Sequence, residues 1–212
     1  MEYTDYTYLF PPRPEVKVPR DALGNYQSLG WHAQVKKNGT CTVIFAKGDQ
    51  VIFKTRHAEE QADGDDHKMW SPKPEHVKFF QGFDSWNVFV AELMHSKTPT
   101  IKDQLYIFDQ IVHNGVQLVG KTFAERQALL RERWLHLNAG FAPERDQLRV
   151  HQYVSLAKNF KGGFGKLFDT LGPGDEGLVL KNPNAPLNAC FKHDSNWGWQ
   201  VKSRIPHKNY GF

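Results

Sequence analysis

Lys36 is the residue whose type and setting point most directly to chemistry. It lies in Gln34-Val35-Lys36-Lys37-Asn38-Gly39-Thr40, and the β-branched run Cys41-Thr42-Val43-Ile44-Phe45 follows. Asn-Gly between strand-forming segments is a strong hairpin signal, so the pattern predicts a strand ending in lysine, a turn and a second strand. A lysine held beside a pocket is a good nucleophile when its amine is neutral, and Lys37 beside it would favour that form. The alternative is an exposed turn with two solvated lysines.

Two later segments place charged residues at the ends of apolar strands. Asp175-Glu176-Gly177-Leu178-Val179-Leu180-Lys181 begins with acids and ends in lysine, and Trp199-Gln200-Val201-Lys202-Ser203-Arg204 ends in cations. Such side chains either converge on a site or point into solvent. The glycine-rich stretch Lys161-Gly162-Gly163-Phe164-Gly165-Lys166 lacks the Gly-Lys-Ser/Thr ending of a phosphate-binding loop, so it reads as a flexible approach to a helix over residues 164–171.

The elements that must position these side chains are mostly short strands. Alternation and β-branched runs predict strands at residues 49–56, 88–93, 105–112 and 147–156. Thr122 caps a predicted helix with apolar residues at helical spacing up to Leu137, and we expect its arginines, including Arg126, to lie on a solvated face. Residues 1–20 predict an extended arm, and the acidic segment 57–74 an exposed loop. The sum is an α+β domain dominated by antiparallel strands.

The composition bounds the class of protein. With 212 residues, we expect one domain covering 1–212, and no stretch is long and apolar enough for a membrane span. The N-terminus lacks a secretory signal, which predicts an intracellular, cytoplasmic protein. Cys41 and Cys190 are expected to be free thiols. The net charge of +4 fits a polyanionic partner.

Five segments, in order over residues 36–202, resemble motifs of the covalent nucleotidyltransferase superfamily, which comprises DNA and RNA ligases and mRNA capping enzymes. They are Lys36-Lys37-Asn38-Gly39 (the K-x-D/N/H-G nucleophile motif), Ala91-Glu92-Leu93, Tyr106-Ile107-Phe108-Asp109, Glu176-Gly177-Leu178-Val179-Leu180-Lys181 and Trp199-Gln200-Val201-Lys202. Their joint occurrence carries the resemblance, since each match is weak alone. It implies the nucleotidyltransferase fold, ATP-grasp-like, of antiparallel sheets flanked by helices, with no OB-fold.

The resemblance implies an ATP-dependent polynucleotide ligase. Lys36 would attack the α-phosphorus of ATP and expel pyrophosphate, AMP would pass to a 5′-phosphate end, and a 3′-hydroxyl would attack to seal the strand. Mg²⁺ (or Mn²⁺) and cationic side chains are needed because negative charge builds up on the phosphoryl oxygens.

The resemblance also assigns roles to individual residues. Lys181 and Lys202 would contact the α-phosphate, and Phe108 would stack on adenine. Gln34 would read the adenine edge, with Val35 beside it in the nucleotide site. Glu92 would bind the ribose hydroxyls, and Glu92 and Glu176 would hold the divalent cation. Arg56 would contact the nucleotide or the 5′-phosphate.

Two departures from the family pattern bear on substrate and mechanism. Gln200 stands where relatives carry the first lysine of K-x-K, so one phosphate contact is missing or comes from Arg204 or Lys208. Asn38 replaces the aspartate usual in DNA ligases and favours RNA, whereas Leu118-Val119-Gly120-Lys121-Thr122-Phe123 resembles DNA ligases. We expect an RNA ligase, with a DNA ligase as the alternative; a capping guanylyltransferase or an inactive nucleic-acid-binding module is more remote.

RNA or DNA ends, or a nicked duplex, are the expected partners, and a monomer is the expected state. Surface cations would grip the nucleic acid through its phosphates, with steep salt sensitivity: Lys158, Lys161, Lys166, Arg204 and Lys208. Without an OB-fold segment, the sequence resembles a minimal, phage-type repair ligase or a fragment of a longer one. A phage enzyme would act in the host cytoplasm.

Overall fold

A computed structural model describes residues 16–55, 70–97, 100–187 and 198–206. The α-helices are α1 (Leu23–Ser28), α2 (Pro74–Phe80), α3 (Phe123–Trp134) and α4 (Phe164–Asp169). The strands are β1 (His32–Lys37), β2 (Thr40–Gly48), β3 (Gln50–Thr55), β4 (Phe83–Met94), β5 (Gln104–His113), β6 (Val116–Gln117), β7 (Gln147–His151), β8 (Val154–Ala157), β9 (Asp175–Lys181) and β10 (Gln200–Arg204). Short 3₁₀ turns span Arg20–Ala22 and Leu135–Gly140.

The strands form two sheets, which confirms the predicted α+β class. The smaller sheet has three antiparallel strands in the order β1-β9-β10. The larger sheet has the order β3-β2-β4-β5-β8-β7, with β6 on β5, and is antiparallel except for the β5–β8 pair. None of the described helices is long and apolar enough to cross a membrane.

The small sheet has one apolar face and one polar face because its strands alternate. Ala33 and Val35 of β1 are buried beside Leu178 and Leu180 of β9. These side chains pack against apolar residues of α1 and α4, among them Leu23, Phe164 and Leu167. The intervening residues of β1, among them Lys36, therefore project from the opposite face.

The predicted hairpin at Asn38-Gly39 is wrong. The strands on either side are β1 and β2, but β1 pairs with β9 whereas β2 pairs with β3 and β4. Gly39 is required for a different reason, since a Cβ there would lie 2.4 Å from the Leu93 carbonyl oxygen of β4. The Asn38-Gly39 turn thus joins two sheets at a point of close backbone approach.

The predicted helix after Thr122 is confirmed, with a shorter end. Thr122 Oγ1 accepts a hydrogen bond from the Glu125 amide, and the Glu125 carboxylate accepts one from the Thr122 amide. This reciprocal cap fixes the start of α3, which ends at Trp134 rather than at Leu137. The expectation that Arg126 is solvated is wrong, because it is 1% exposed.

Other expected elements differ in detail. The strand predicted over residues 147–156 is two strands, β7 and β8, joined by a turn. Residues 1–15 of the expected arm, most of the acidic loop and Cys190 lie outside the described residues. The described start of the chain is extended along β10, where the Val18 amide donates to the Lys202 carbonyl over 2.9 Å.

Gly177 provides a test of the small sheet. Its φ is +142°, and a Cβ there would lie 1.9 Å from the Ser203 carbonyl oxygen of β10. Gly177→Ala should lower the free energy of unfolding by about 3 kcal/mol, through backbone strain and overpacking. Gly24→Ala is the matched control, because no atom lies within 4 Å of the added Cβ in helix α1. Chemical denaturation of wild type and both variants checks this. A Gly177→Ala midpoint equal to that of wild type would contradict the close approach of β9 and β10.

Candidate active site

Lys36 lies in an ion cluster on the polar face of the small sheet. Its Nζ contacts Glu176 Oε2, and Arg204 Nη2 lies 3.1 Å from the same oxygen. The three side chains are only 20–22% exposed. Lys36 and Arg204 both pair with Gly177, so the three-residue row runs straight across β1, β9 and β10.

Two further rows of side chains lie on the same face. Gln34, Val179 and Lys202 form the next row, and His32, Lys181 and Gln200 form the one after it. A strand rises about 3.3 Å per residue, so the row of His32 lies about 13 Å from the row of Lys36. The face therefore carries cations at both ends, with Lys36 and Arg204 at one end and Lys181 at the other.

Lys181 is buried without a hydrogen-bond partner for its ammonium group among the described residues. Its Nζ lies 4.9 Å from the ring centroid of Phe108 and 4.8 Å from that of Phe123. Burial lowers the pKa of Lys181 to about 8, and the neighbouring Asp109 only partly opposes this shift. A buried, unpaired amine is costly and is expected where a ligand supplies the missing partner.

Asp109 and Arg126 form a buried ion pair next to Lys181. Arg126 Nε and Nη2 each lie 2.9 Å from one oxygen of Asp109, and both side chains are 1% exposed. This pair ties α3 to β5. A small cavity, about 180 Å³ including its opening, is lined by Asp109, Phe123, Arg126, Lys181, Trp199 and Gln200.

Sequence reasoning missed Arg126, although a signal was present. Phe123, Leu130 and Trp134 form the buried stripe of α3, and Arg126 lies three residues after Phe123 and four before Leu130. That spacing puts Arg126 on the buried face whatever its charge. Asp109, the acid that follows the aromatic Phe108, is its partner across the helix–sheet contact.

Gln34 is held by a chain of amide groups. Its Nε2 donates to Asn159 Oδ1 over 2.7 Å, and Asn159 Nδ2 donates to Gln127 Oε1 over 3.1 Å. Gln127 in turn donates to the Phe108 carbonyl oxygen over 3.0 Å. Gln34 and Gln127 are 2% and 4% exposed. The chain links β1 to the strand that carries Phe108 and fixes the orientation of the Gln34 amide.

Glu92 lies beside the turn that follows Lys36. Its Oε1 accepts a hydrogen bond from the Gly39 amide over 3.1 Å, and Lys97 Nζ donates to the Gly39 carbonyl oxygen over 2.6 Å. Glu92 of the large sheet thus contacts the turn that follows Lys36, whereas Glu176 of the small sheet contacts Lys36 itself. Within the described ranges, no group of three or more His, Cys, Asp or Glu side chains could hold a metal by itself.

The other residues predicted for the site lie in different parts of the structure. Val35 faces the apolar core of the small sheet, so its side chain points away from the polar face that carries Lys36. Lys158 donates to the carbonyl oxygens of Glu144 and Arg145, whereas Lys161 and Lys166 are exposed. Arg204, predicted to bind nucleic acid, lies in the Lys36 cluster. Arg56 and Lys208 lie outside the described residues.

No protein-family model and no curated protein matches this chain. Solved structures do match it. The ligase domain of LigD from M. tuberculosis superposes with a TM-score of 0.56 at 13% identity, over 96% of this chain and 62% of that one. A structure named Pmar-Lig_PreS3 gives 0.55 at 14% identity, over 92% and 47% of the two chains. A structure from a study of Lig E DNA ligases gives 0.52 at 13% identity, over 92% and 69%.

These likenesses confirm the fold that the motifs implied. The chain has the fold of the catalytic domain of polynucleotide ligases, and it spans less than two thirds of the LigD ligase domain. At 13–14% identity the superposition concerns the fold. The activity must be argued from the site.

The pKa of Lys181 gives a measurable pH dependence. Its folded-state pKa of about 8 lies below the ordinary 10.5, so above pH 8 the unfolded chain holds more protons than the folded one. Stability should therefore rise with pH over that window, by about 2 kcal/mol between pH 8 and pH 10. Urea unfolding of wild type and Lys181→Met at both pH values isolates this contribution, since other titrations cancel. An equal pH response in both proteins would contradict the buried, unpaired amine.

Proposed function

We propose that this chain is an ATP-dependent polynucleotide ligase that forms a covalent adenylate on Lys36. The observation that carries the proposal is the contact of both Lys36 and Arg204 with the Glu176 carboxylate, with Lys202 in the next row on the same face. A nucleophilic amine, a carboxylate and two further cations thus meet at one end of a partly buried site. Phosphoryl transfer needs little more from a protein than such positioning and charge stabilisation.

The first step forms a bond between Lys36 Nζ and the α-phosphorus, and the bond from that phosphorus to the pyrophosphate oxygen breaks. Glu176 Oε2, already in contact with the amine, accepts its proton. In the second step a 5′-phosphate oxygen attacks the adenylate and releases Lys36. In the third a 3′-hydroxyl oxygen attacks the activated 5′-phosphate, and AMP leaves.

Arg204 supports a revised assignment of the closing motif. Gln200 stands at the first lysine position if Lys202 is the second, and Gln200 lies in the row farthest from Lys36. Lys202 and Arg204, two residues apart on one face, give the same spacing of two cations and lie nearer to Lys36. We assign the two phosphate-contacting cations to Lys202 and Arg204.

The other end of the face suits a nucleoside. The rows of Lys36 and His32 are about 13 Å apart, which is enough for a nucleotide laid along β1. Phe108 offers a ring for stacking, and Gln34 offers an amide fixed by Asn159. Lys181, a donor without a partner, suits the acceptor nitrogens of a purine or a phosphate oxygen.

A divalent ion is part of the proposal. Mg²⁺ is usually held by one or two carboxylates, water and substrate phosphates, so Glu176, with Glu92 nearby, suits an ion that arrives with ATP. Both cationic contacts of Glu176 use Oε2. The ion would neutralise charge on the phosphates and the leaving pyrophosphate.

Intact mass spectrometry tests the first step. Wild type incubated with ATP and Mg²⁺ should gain the mass of one AMP, and Lys36→Ala should gain none because it lacks the nucleophile. GTP and NAD⁺ serve as nucleotide controls, and the mass before incubation shows whether the protein is purified already adenylated. A GMP adduct would indicate a capping-type enzyme, and the absence of any adduct before or after incubation would refute the proposal.

A second measurement identifies the polymer that the enzyme seals. Asn38 in the nucleophile motif favours RNA, so RNA ends should be sealed faster than matched DNA ends. Nicked RNA, DNA and hybrid duplexes and single strands of one sequence distinguish these substrates. Faster sealing of nicked DNA would make the chain a DNA ligase and leave the adenylate chemistry intact. Activity should fall steeply with salt, because exposed Lys161 and Lys166 would contact phosphates.

A further inference from the structure

The pairing of β1 with β9 has one irregularity, and it lies at the nucleophile. Lys36 pairs with Gly177 and Lys37 pairs with Asp175, so Glu176 is an extra residue in a β-bulge. Residues directly opposite each other on antiparallel strands share a face, and successive residues alternate. In a regular ladder Glu176 would lie opposite Lys37, on the face away from Lys36. The bulge instead brings the Glu176 carboxylate to the Lys36 amine.

Lys37 holds the residue that replaces Glu176 in the ladder. Its Nζ lies 2.9 Å from Asp175 Oδ1 and 2.5 Å from Asp146 Oδ2. The three side chains are only 12%, 4% and 9% exposed. Lys37 is therefore not the unneutralised cation beside Lys36 that the sequence suggested. It points the other way, into two carboxylates.

Asp175 is fixed from several sides. Arg145 Nη2 lies 2.7 Å from its Oδ2, and the Gly172 amide donates to the same oxygen over 3.1 Å. Burial alone would raise the pKa of Asp175, but the hydrogen bonds from Lys37, Gly172 and Arg145 and the charge of Lys37 lower it. Asp175 therefore stays ionised, and its negative charge favours a cation opposite it on β1.

Lys37 also joins the two sheets behind the site. Asp146 lies just before β7, and its carbonyl oxygen accepts a hydrogen bond from the Tyr106 hydroxyl of β5 over 3.1 Å. Lys37 Nζ lies 5.5 Å from the centroid of the Tyr106 ring. A single ammonium group thus connects β1 and β9 of the small sheet with β5 and the start of β7 in the large one.

We propose that Lys37 is a positioning residue, because its pairing with Asp175 and Asp146 selects the bulged register in which Glu176 faces the Lys36 amine. Two acids, Asp175 and Glu176, compete for the place opposite Lys37, and the second carboxylate at Asp146 favours the bulged choice. The structural part stands on the contacts alone. Its catalytic consequence rests on the proposed function.

The register itself is the first readout and needs no activity. Nuclear Overhauser contacts between backbone protons should place position 37 opposite Asp175 in wild type and Lys37→Arg. In Lys37→Met they should place it opposite Glu176 in a measurable fraction of molecules, because the cation that selects Asp175 is gone. If Lys37→Met does not fold, the double variant Lys37→Met/Asp146→Asn is used instead, because it removes one of the two buried carboxylates that lose their cation. An unchanged register in the variant used overturns the proposal.

Adenylation kinetics give the second readout. Lys37→Met should slow AMP transfer to Lys36 about 100-fold and change the KM for ATP by less than about threefold, since misplacing a catalytic group by about 1 Å costs about that much. Lys37→Arg should recover most of the rate. Arg20→Met removes an exposed ion pair with Asp169 and is the matched control, expected to react at the wild-type rate.

A double-mutant cycle separates positioning from general damage. If Lys37 acts through Glu176, Lys37→Met should add no further loss to Glu176→Gln, whereas independent structural damage would multiply the two losses. Multiplying losses, or a wild-type rate in Lys37→Met, would overturn the catalytic role. Failure of wild type to form any adduct would instead refute the proposed function, and the register measurement would still decide the structural part.

Discussion

The antiparallel contact of β1 with β9 is the interaction on which the site depends. Lys36 and Glu176 are 140 residues apart in sequence, and only this pairing brings them together. Closing so long a loop costs chain entropy, which apolar burial must offset. The same two strands provide that burial, since Ala33, Val35 and Leu178 are at most 2% exposed on the other face. One alternating pattern thus supplies both the core of the small sheet and its chemistry.

The fold neutralises some of the cations around the small sheet but leaves Lys181 without a hydrogen-bond partner among the described residues. Arg126 is paired with Asp109, and Lys37 with Asp146 and Asp175. Lys181, in contrast, is buried against the rings of Phe108 and Phe123, and Asp109 lies nearby without a hydrogen bond to its ammonium group. Buried ion pairs fix geometry without adding much stability, whereas an unpaired buried amine lowers it. In the proposed function, the anionic nucleotide would complete this charge balance.

Much of this could be predicted from the sequence, and the failures have a common cause. The strands, helix α3 and the order of the charged motifs were predictable because alternation, capping and spacing are local signals. The partner of β1 was not, because the Asn38-Gly39 pair also fits a hairpin, and nothing local shows that Gly39 must pass the Leu93 carbonyl. Arg126 was expected to be solvated, and Lys37 to be an unneutralised cation beside Lys36, for the same reason. Their carboxylate partners come from other elements and become visible only in three dimensions.

The backbone around Lys36 is closely packed. A Cβ at Gly39 would meet Leu93, and one at Gly177 would meet Ser203, so the chain is held tightly both after Lys36 and opposite it. Groups carried by such rigid elements are positioned more accurately than groups on loops. The proposed reaction therefore needs movement of side chains rather than of the backbone. The first movement is at Lys36, which would pass a proton to Glu176 and then turn its amine away from that carboxylate towards phosphorus.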